Sequence, residues 1–322
     1  MPSLDPSGGP PGFRLIHQAL LYSSDEEYLA ATAGFARDGL RQGDPVLITT
    51  TPSNIVLLQG ELGRDAAAAE FIDSSEWHQV PPWTLAAYHR YITRHAPASG
   101  RVRVVGEPVW SGRNACEVRE WTRFESVLNV ALAASPAWII CLYDTRILPS
   151  GVTAGAVRTH PELLEASGRM PSPGYVDPAQ LSAQWDRDEL PEPPADLVEE
   201  MAFTGRDLRE VRVRVLEHAR ATAVPEERAQ GLALAANEVA TNAVTHGGGR
   251  GVLRMWAQDD EAVCEISDDG GRMDHAFPGY LPPTLDSVDG FGLWMARQLC
   301  TLVQIRSVPS GTVVRMHVST AA

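Results

Sequence analysis

No lysine occurs in the 322 residues; all 27 basic side chains are arginines. This excludes the phosphate-binding loop that ends in Gly-Lys-Ser/Thr, so any nucleotide site must use other groups. Cysteine is scarce: Cys116, Cys141, Cys264 and Cys300 stand far apart and form no C-x-x-C pair. That spacing suggests neither a zinc site nor a disulfide framework, and the four residues read as buried thiols. Long apolar runs are also lacking. The longest, Val127 to Tyr143, is broken by Asn129, Ser135 and Pro136 and is unsuited to spanning a bilayer. A formal net charge of -14, with no gathering of arginines on one face, excludes nucleic acid as a first choice of direct partner. Met1 to Gly12, rich in Pro, Gly and Ser, reads as a flexible tail rather than a signal peptide. The expectation is a cytoplasmic protein with no membrane partner.

The chain is 44% hydrophobic and 21% charged, a globular composition, and is long enough for two domains that each bury a core. From Phe13 to about Ser167, short apolar runs (Leu15 to Leu21, Val46 to Thr50, Val102 to Val105, Trp138 to Tyr143) alternate with amphipathic stretches (Asp25 to Gln42, Pro82 to Arg94, Glu117 to Ala134). Strands without strict polar alternation, separated by helices, predict an α/β domain with a mostly parallel sheet buried on both faces. Proline clusters at Pro171-Ser-Pro173-Gly174 and Pro191-Glu-Pro193-Pro194 change the character of residues 168–194, which read as a linker. Beyond it come helices over Leu208 to Ala221 and Pro225 to Thr245, strands over Val252 to Ala257 and Ala262 to Ser267, a long loop, a helix over Phe291 to Leu302, and strands over Val303 to Val308 and Thr312 to Val318. Helices followed by antiparallel hairpins predict an α+β two-layer sandwich. The division expected is therefore 1–12 tail, 13–167 first domain, 168–194 linker and 195–322 second domain.

The second domain carries the chemistry. Leu232, Ala235, Ala236, Val239 and Ala243 form one face of a helix, and Glu238 and Asn242, four apart, share an adjoining strip with Asn237 and His246 beside it. A carboxylate beside an amide can hold hydrated magnesium and orient a nucleophile. An apolar strand then runs into Asp268-Asp269-Gly270-Gly271, where a carboxylate can accept a hydrogen bond from an adenine amino group and glycine permits close backbone approach. Asp289-Gly290-Phe291-Gly292-Leu293 opens a helix, placing backbone N–H groups where phosphates could bind without lysine. Arg272 to Val288, irregular and proline-bearing, has the length of a lid, and Gly311-Thr312 opens the last strand.

Taken in order, these motifs resemble the GHKL ATPase superfamily of histidine kinases, gyrase-type ATPases and anti-sigma-factor serine kinases. The resemblance implies a Bergerat, histidine-kinase-like fold binding ATP and Mg2+. It also implies that Glu238 is the general base and Asn242 the magnesium residue, with His246 ending that box. Asp268 and Gly270 would face adenine, and Gly290, Gly292 and Leu293 the phosphates, with Thr312 closing the site. Where the family has a glycine at the fifth position of Asp-x-Gly-x-Gly, this chain has Arg272. The short domain and its Glu-x-x-x-Asn-Ala-x-x-His box look most like the anti-sigma serine kinases. Those phosphorylate an anti-sigma-factor antagonist on Ser or Thr and bind a sigma factor when it is not at hand. Two further readings stay open: a non-catalytic nucleotide-binding module that sequesters a partner, and a sensor histidine kinase, for which only His218 offers a helical histidine.

The first domain resembles the sensory domain named for methanogen and methylotroph DcmR proteins (MEDS). The resemblance lies in His17-Gln-Ala-Leu-Leu-Tyr-Ser-Ser-Asp-Glu-Glu-Tyr28, Gly39 to Gly43, Gly106-Glu-Pro-Val-Trp110, Phe124-Glu125 and Cys141-Leu-Tyr-Asp144. It implies an ATPase-like sheet without its phosphate loop and a small-molecule signal. His17, Glu107, Glu125, Tyr143, Asp144 and His160 lie near predicted strand ends, where open α/β sheets keep ligands. Homodimerisation is left open.

Overall fold

Helix ends in this chain are written by single residues. Ser24 takes an N-cap bond from the Glu27 amide at 3.2 Å, and Gly43, at φ 77°, turns the chain out of the same helix. Asn114 and Glu117 form a reciprocal capping box that starts the helix at Ala115, a turn's edge earlier than periodicity alone predicts. The computed structural model describes residues 14–96, 100–165, 168–194, 198–258, 260–273, 275–281 and 291–319. The expected N-terminal tail, Gly290, and Asp274 with residues 282–288 of the expected lid lie outside them.

The chain divides into two compact units, Met1–Pro178 and Ala179–Ala322. In the first, the elements run β1 (Ile16–Tyr22), α1 (Asp25–Gln42), β2 (Val46–Thr50), α2 (Pro52–Leu62), a 3-10 turn, β3 (Glu70–Asp73), α3 (Ser74–Trp77), α4 (Pro81–His95), β4 (Val102–Gly106), α5 (Ala115–Ala131), β5 (Ala137–Asp144), α6 (Ser150–Thr159), β6 (Glu162–Glu165) and β7 (Gly168–Pro171). They make one sheet in the order β3-β2-β4-β5-β1-β6-β7, parallel except for the β6–β7 pair. The mostly parallel α/β sheet expected from the sequence is present. Because side chains alternate across a strand, Leu20, Tyr22, Ile140 and Leu142 pack with α1 and α2 on one face. His17, Cys141 and Tyr143 are left to the other, where α5 lies.

The second unit runs α7 (Pro178–Trp185), β8 (Glu199–Thr204), α8 (Leu208–Ala221), α9 (Glu226–His246), β9 (Arg250–Gln258), β10 (Glu261–Asp268), α10 (Phe291–Leu299), β11 (Leu302–Val308) and β12 (Gly311–Ser319). Its five strands are antiparallel in the order β11-β12-β10-β9-β8. One core joins Val211 and Val215 of α8, the predicted face of α9, Leu293 and Ala296 of α10, and Leu253, Cys264, Ile266, Val314 and Met316 of the sheet. This is the α+β two-layer sandwich expected.

Residues 168–194 hold more order than proline content predicts. Pro171 ends an edge strand, and Pro178 begins a helix, two places where a missing N–H is tolerated. Further on, Asp186 accepts from the Ser307 amide at 2.8 Å, and Pro191 accepts from Arg315 at 2.8 Å, tying this stretch to the second sheet. Among the described residues, no helix is long and apolar enough to cross a membrane.

Candidate functional site

In the second unit α9 buries Leu232, Ala235, Ala236, Val239 and Ala243 and leaves Glu238 and Asn242 half-buried at its margin. Among the described residues neither side chain has a hydrogen-bond partner. The first turn of α10 comes up against them. A methyl group at Gly292 would stand 3.3 Å from Asn242 Nδ2 and 3.5 Å from Glu238 Oε2, so glycine lets this backbone sit close to the pair without crowding it. Leu293, the next residue, is buried in the core and anchors the helix.

Asp268 ends β10 and faces the C-terminus of α9. A methyl at Gly247 would overlap the Asp268 carboxyl carbon, and one at Gly270 would overlap the Gly247 Cα. Two glycines therefore let the helix end and the strand-end loop touch. The Gly270 amide donates to Asp268 Oδ1 at 2.9 Å. Burial pushes the Asp268 carboxyl above the usual range; the Gly270 amide opposes this, the charge of Asp269 adds to it, and the Thr312 amide opposes it. Gly311, at φ 145° and against the Asp268 carbonyl, leads to Thr312, whose hydroxyl donates to the Gly271 carbonyl at 3.1 Å. His246 is exposed at the last residue of α9, its carbonyl near Gly270.

Arg272 does not stand among these groups. With Asp186, Met273, His275 and Ser307 it lines a separate cavity of about 220 Å³, whose walls include none of Glu238, Asn242 and Asp268. A larger recess, about 430 Å³, adjoins Asp268 and Asp269 from the β8–β9 side, where Asp207 and Arg250 contribute. It too holds no residue of the Glu238 strip. Of the expected lid, Phe277 and Tyr280 are buried, and Arg297 of α10 holds the segment by donating to the Pro278 carbonyl at 2.9 Å and lying 3.8 Å from the Tyr280 ring centre. His218 is also spoken for, its Nε2 being 3.0 Å from the Trp256 carbonyl.

The six sensory candidates of the first unit separate into three groups. Glu107, at the end of β4, accepts from Tyr22 at 3.1 Å, from Asn54 at 2.9 Å and from Thr50. Asp144 is paired with Arg146 at 2.7 Å and 2.9 Å, which holds its carboxyl below the usual range. His17, Glu125 and His160 meet in the core: Glu125 Oε2 is 3.4 Å from His17 Nε2 and 3.5 Å from His160 Nε2. Tyr143 sits edge-on to His160, ring centres 5.7 Å apart. Cys141, read from the sequence as a buried thiol and part of the MEDS-like segment but not as a site residue, joins His17, Glu125 and His160, with Sγ 3.3 Å from His17 Nε2 and 3.4 Å from Glu125 Oε2. Sequence reading also passed over His78, which burial pushes down to about 3, with Glu125 opposing and Arg113 adding to the shift. Its ring lies between Ser74 and Tyr88 at 3.1 Å from each.

Comparison with known proteins agrees with this division. Residues 16–161 match the family described as MEDS, the methanogen/methylotroph DcmR sensory domain, and residues 201–318 match the histidine kinase-like ATPase domain. The first match lies within the first compact unit and the second within the second. Among proteins of curated function, none matches. Similar solved structures include the RsbU and RsbW domains of Rv1364c from Mycobacterium tuberculosis, at 19% identity over 38% of this chain and TM-score 0.28; the chain spans only 32% of that structure's length. The catalytic domain of histidine kinase ThkA is 15% identical over 38% of this chain and 96% of its own, with TM-score 0.26. The histidine kinase domain from the Erythrobacter litoralis EL346 blue-light activated histidine kinase is 20% identical over 44% and 75%, with TM-score 0.25.

Proposed function

We propose that this protein is an ATP-dependent switch in which the MEDS domain biases a serine/threonine kinase domain acting on an anti-sigma-factor antagonist. The kinase domain would bind a sigma factor when that antagonist is not at hand. The observation that carries the nucleotide reading is the meeting of Glu238, Asn242 and Gly292, with the polar pair making no bond to the described protein. A carboxylate and an amide left open beside a glycine-lined helix start suit a magnesium-bound triphosphate, and Asp268 supplies an acceptor for adenine. ATP would supply the transferable phosphoryl group and Mg2+ would neutralise its charge. Asn242 would hold the ion, and Glu238 would accept the proton of the incoming Ser or Thr hydroxyl. The anti-sigma branch rests on the Glu238-Val-Ala-Thr-Asn242-Ala-Val-Thr-His246 box in a short domain. The engagement of His218 by Trp256 disfavours histidine autophosphorylation.

Incubation with γ-labelled ATP, Mg2+ and a candidate antagonist tests the kinase reading, with transfer to Ser or Thr expected. Glu238→Gln should slow that transfer by roughly 10²- to 10⁴-fold while nucleotide and sigma-factor binding persist. Nucleotide binding without transfer by the unaltered protein would leave the second reading, a non-catalytic module that sequesters its partner; the departure at Arg272 is what favours that reading.

A further inference from the structure

In the first unit, four side chains capable of ligating a metal converge from four separate elements: His17 from β1, Glu125 from α5, Cys141 from β5 and His160 from the end of α6. Each is at most 2% exposed, and one ligand atom from each lies within 4.8 Å of all the others. Tetrahedral zinc with bonds of about 2.0–2.3 Å places its ligand atoms roughly 3.3–3.6 Å apart. Four of the separations here are 3.3, 3.4, 3.4 and 3.5 Å. These four of the six separations match a tetrahedral shell, and the other two are at most 4.8 Å.

The hydrogen bonds around the cluster decide which atoms face inward. Asn129 uses its Nδ2 to donate to the Thr159 and Ser126 carbonyls at 2.8 and 3.2 Å, so its Oδ1 is the acceptor for His17 Nδ1 at 3.0 Å. His160 Nδ1 lies 2.9 Å from the Ala156 carbonyl. Both imidazoles therefore carry their proton on Nδ1 and turn the lone pair of Nε2 toward the Glu125 carboxylate. Carbonyl partners of this kind are the outer-shell contacts that fix metal-ligating histidines. With protein atoms alone, His160 Nε2 and Glu125 Oε1 have no hydrogen-bond partner although both are buried, and such groups are expensive to leave unmatched. A divalent cation at the centre of the cluster gives His160 Nε2 the partner it lacks. With Glu125 ionised and Cys141 as thiolate, its charge is cancelled and four lone pairs are satisfied.

We propose that His17, Glu125, Cys141 and His160 bind a divalent transition metal, Zn2+ by the mixed N, S and O donor set, at the centre of the MEDS domain. The full count of protein ligands and the complete burial make it a closed site, loaded as the domain folds.

Elemental analysis of the full-length protein equilibrated with Zn2+ and then desalted should find about one equivalent per chain. Exchange for Co2+ should give the visible absorption of a tetrahedral ion together with a thiolate charge-transfer band. Cys141→Ser should abolish the charge-transfer band, and His160→Gln should lower occupancy under chelator competition. A milder change, Asn129→Ala, should weaken retention roughly 10- to 100-fold, as loss of an outer-shell partner does. A folded wild-type protein, judged by circular dichroism, that retains no Zn2+ and gives no tetrahedral Co2+ spectrum overturns the assignment. So does a Co2+ spectrum indifferent to Cys141→Ser.

Discussion

Asp268 is placed where its charge state matters, at a strand end with the α9 terminus packed against it. Burial raises its carboxyl, so it gains a proton on acidification sooner than an ordinary aspartate. If it accepts a hydrogen bond from adenine, nucleotide affinity should start to fall above the usual carboxylate range, and Asp268→Asn should remove that part of the pH profile. A fluorescent nucleotide analogue titrated at a series of pH values measures both. Without nucleotide the sign reverses for stability. A raised folded pKa means that the ionised group opposes folding, and this opposition fades as pH falls through that pKa. Asp268→Ala should weaken ATP binding roughly 10- to 100-fold, the range for losing a hydrogen bond to a charged group. Gly270→Ala tests a different contact. Its methyl would overlap Gly247, so the expected loss is about 1–3 kcal/mol of stability by overcrowding, read from the urea midpoint, with nucleotide binding weakened as well. At this scale Glu238 and Asn242 are legible because a helix sets residues four apart side by side. The Gly247–Gly270 contact and the place of Cys141 depend on chain folding, and no local spacing announces them.

Elements with a strong period and clear punctuation can be read almost to the residue. α1 is bracketed by Ser24 and Gly43, and α8 has an apolar stripe at Val211, Val215 and Ala219. The elements that escape reading have physical reasons to do so. β3 is only four residues long and mostly half-exposed, and α6 contains Gly151 and Gly155, poor helix formers whose presence is explained by packing. Gly155 lets Thr122 of α5 approach, since a methyl there would stand 3.0 Å from its Cγ2. The capping box of α5 was readable in Asn114 and Glu117 and marks a further test. Asn114→Ala should cost about 1 kcal/mol in the first unit, measured by denaturant unfolding, because two orphan amides of α5 lose their partner. The same helix presents Glu125 and Asn129 on one face, so this change should also loosen the metal proposed there.

At the scale of the whole molecule, two compact units with separate cores predict two unfolding transitions, each answering to its own ligand. A ligand that binds only the folded state stabilises it by about 2.7 kcal/mol at a hundredfold excess over Kd, a rise on the order of 10 °C in Tm for a unit of this size. ATP with Mg2+ should therefore raise the transition of the unit holding Glu238, Asn242 and Asp268. Chelation should lower that of the unit holding His17, Glu125, Cys141 and His160. Calorimetry of the full chain, repeated with Glu238→Gln and His160→Gln, assigns each transition. Glu238→Gln should keep the ATP shift, since a general base contributes to transfer more than to binding, and His160→Gln should remove the chelator effect alone. The switch reading adds a stricter requirement. If the sensory unit biases the kinase unit, occupancy of one must change the ligand affinity of the other, and the change must be equal in both directions because the coupling free energy is shared. Titrating the nucleotide with and without the metal, and the metal with and without the nucleotide, should give the same factor. Two independent affinities would mean that the units share a chain without sharing a signal.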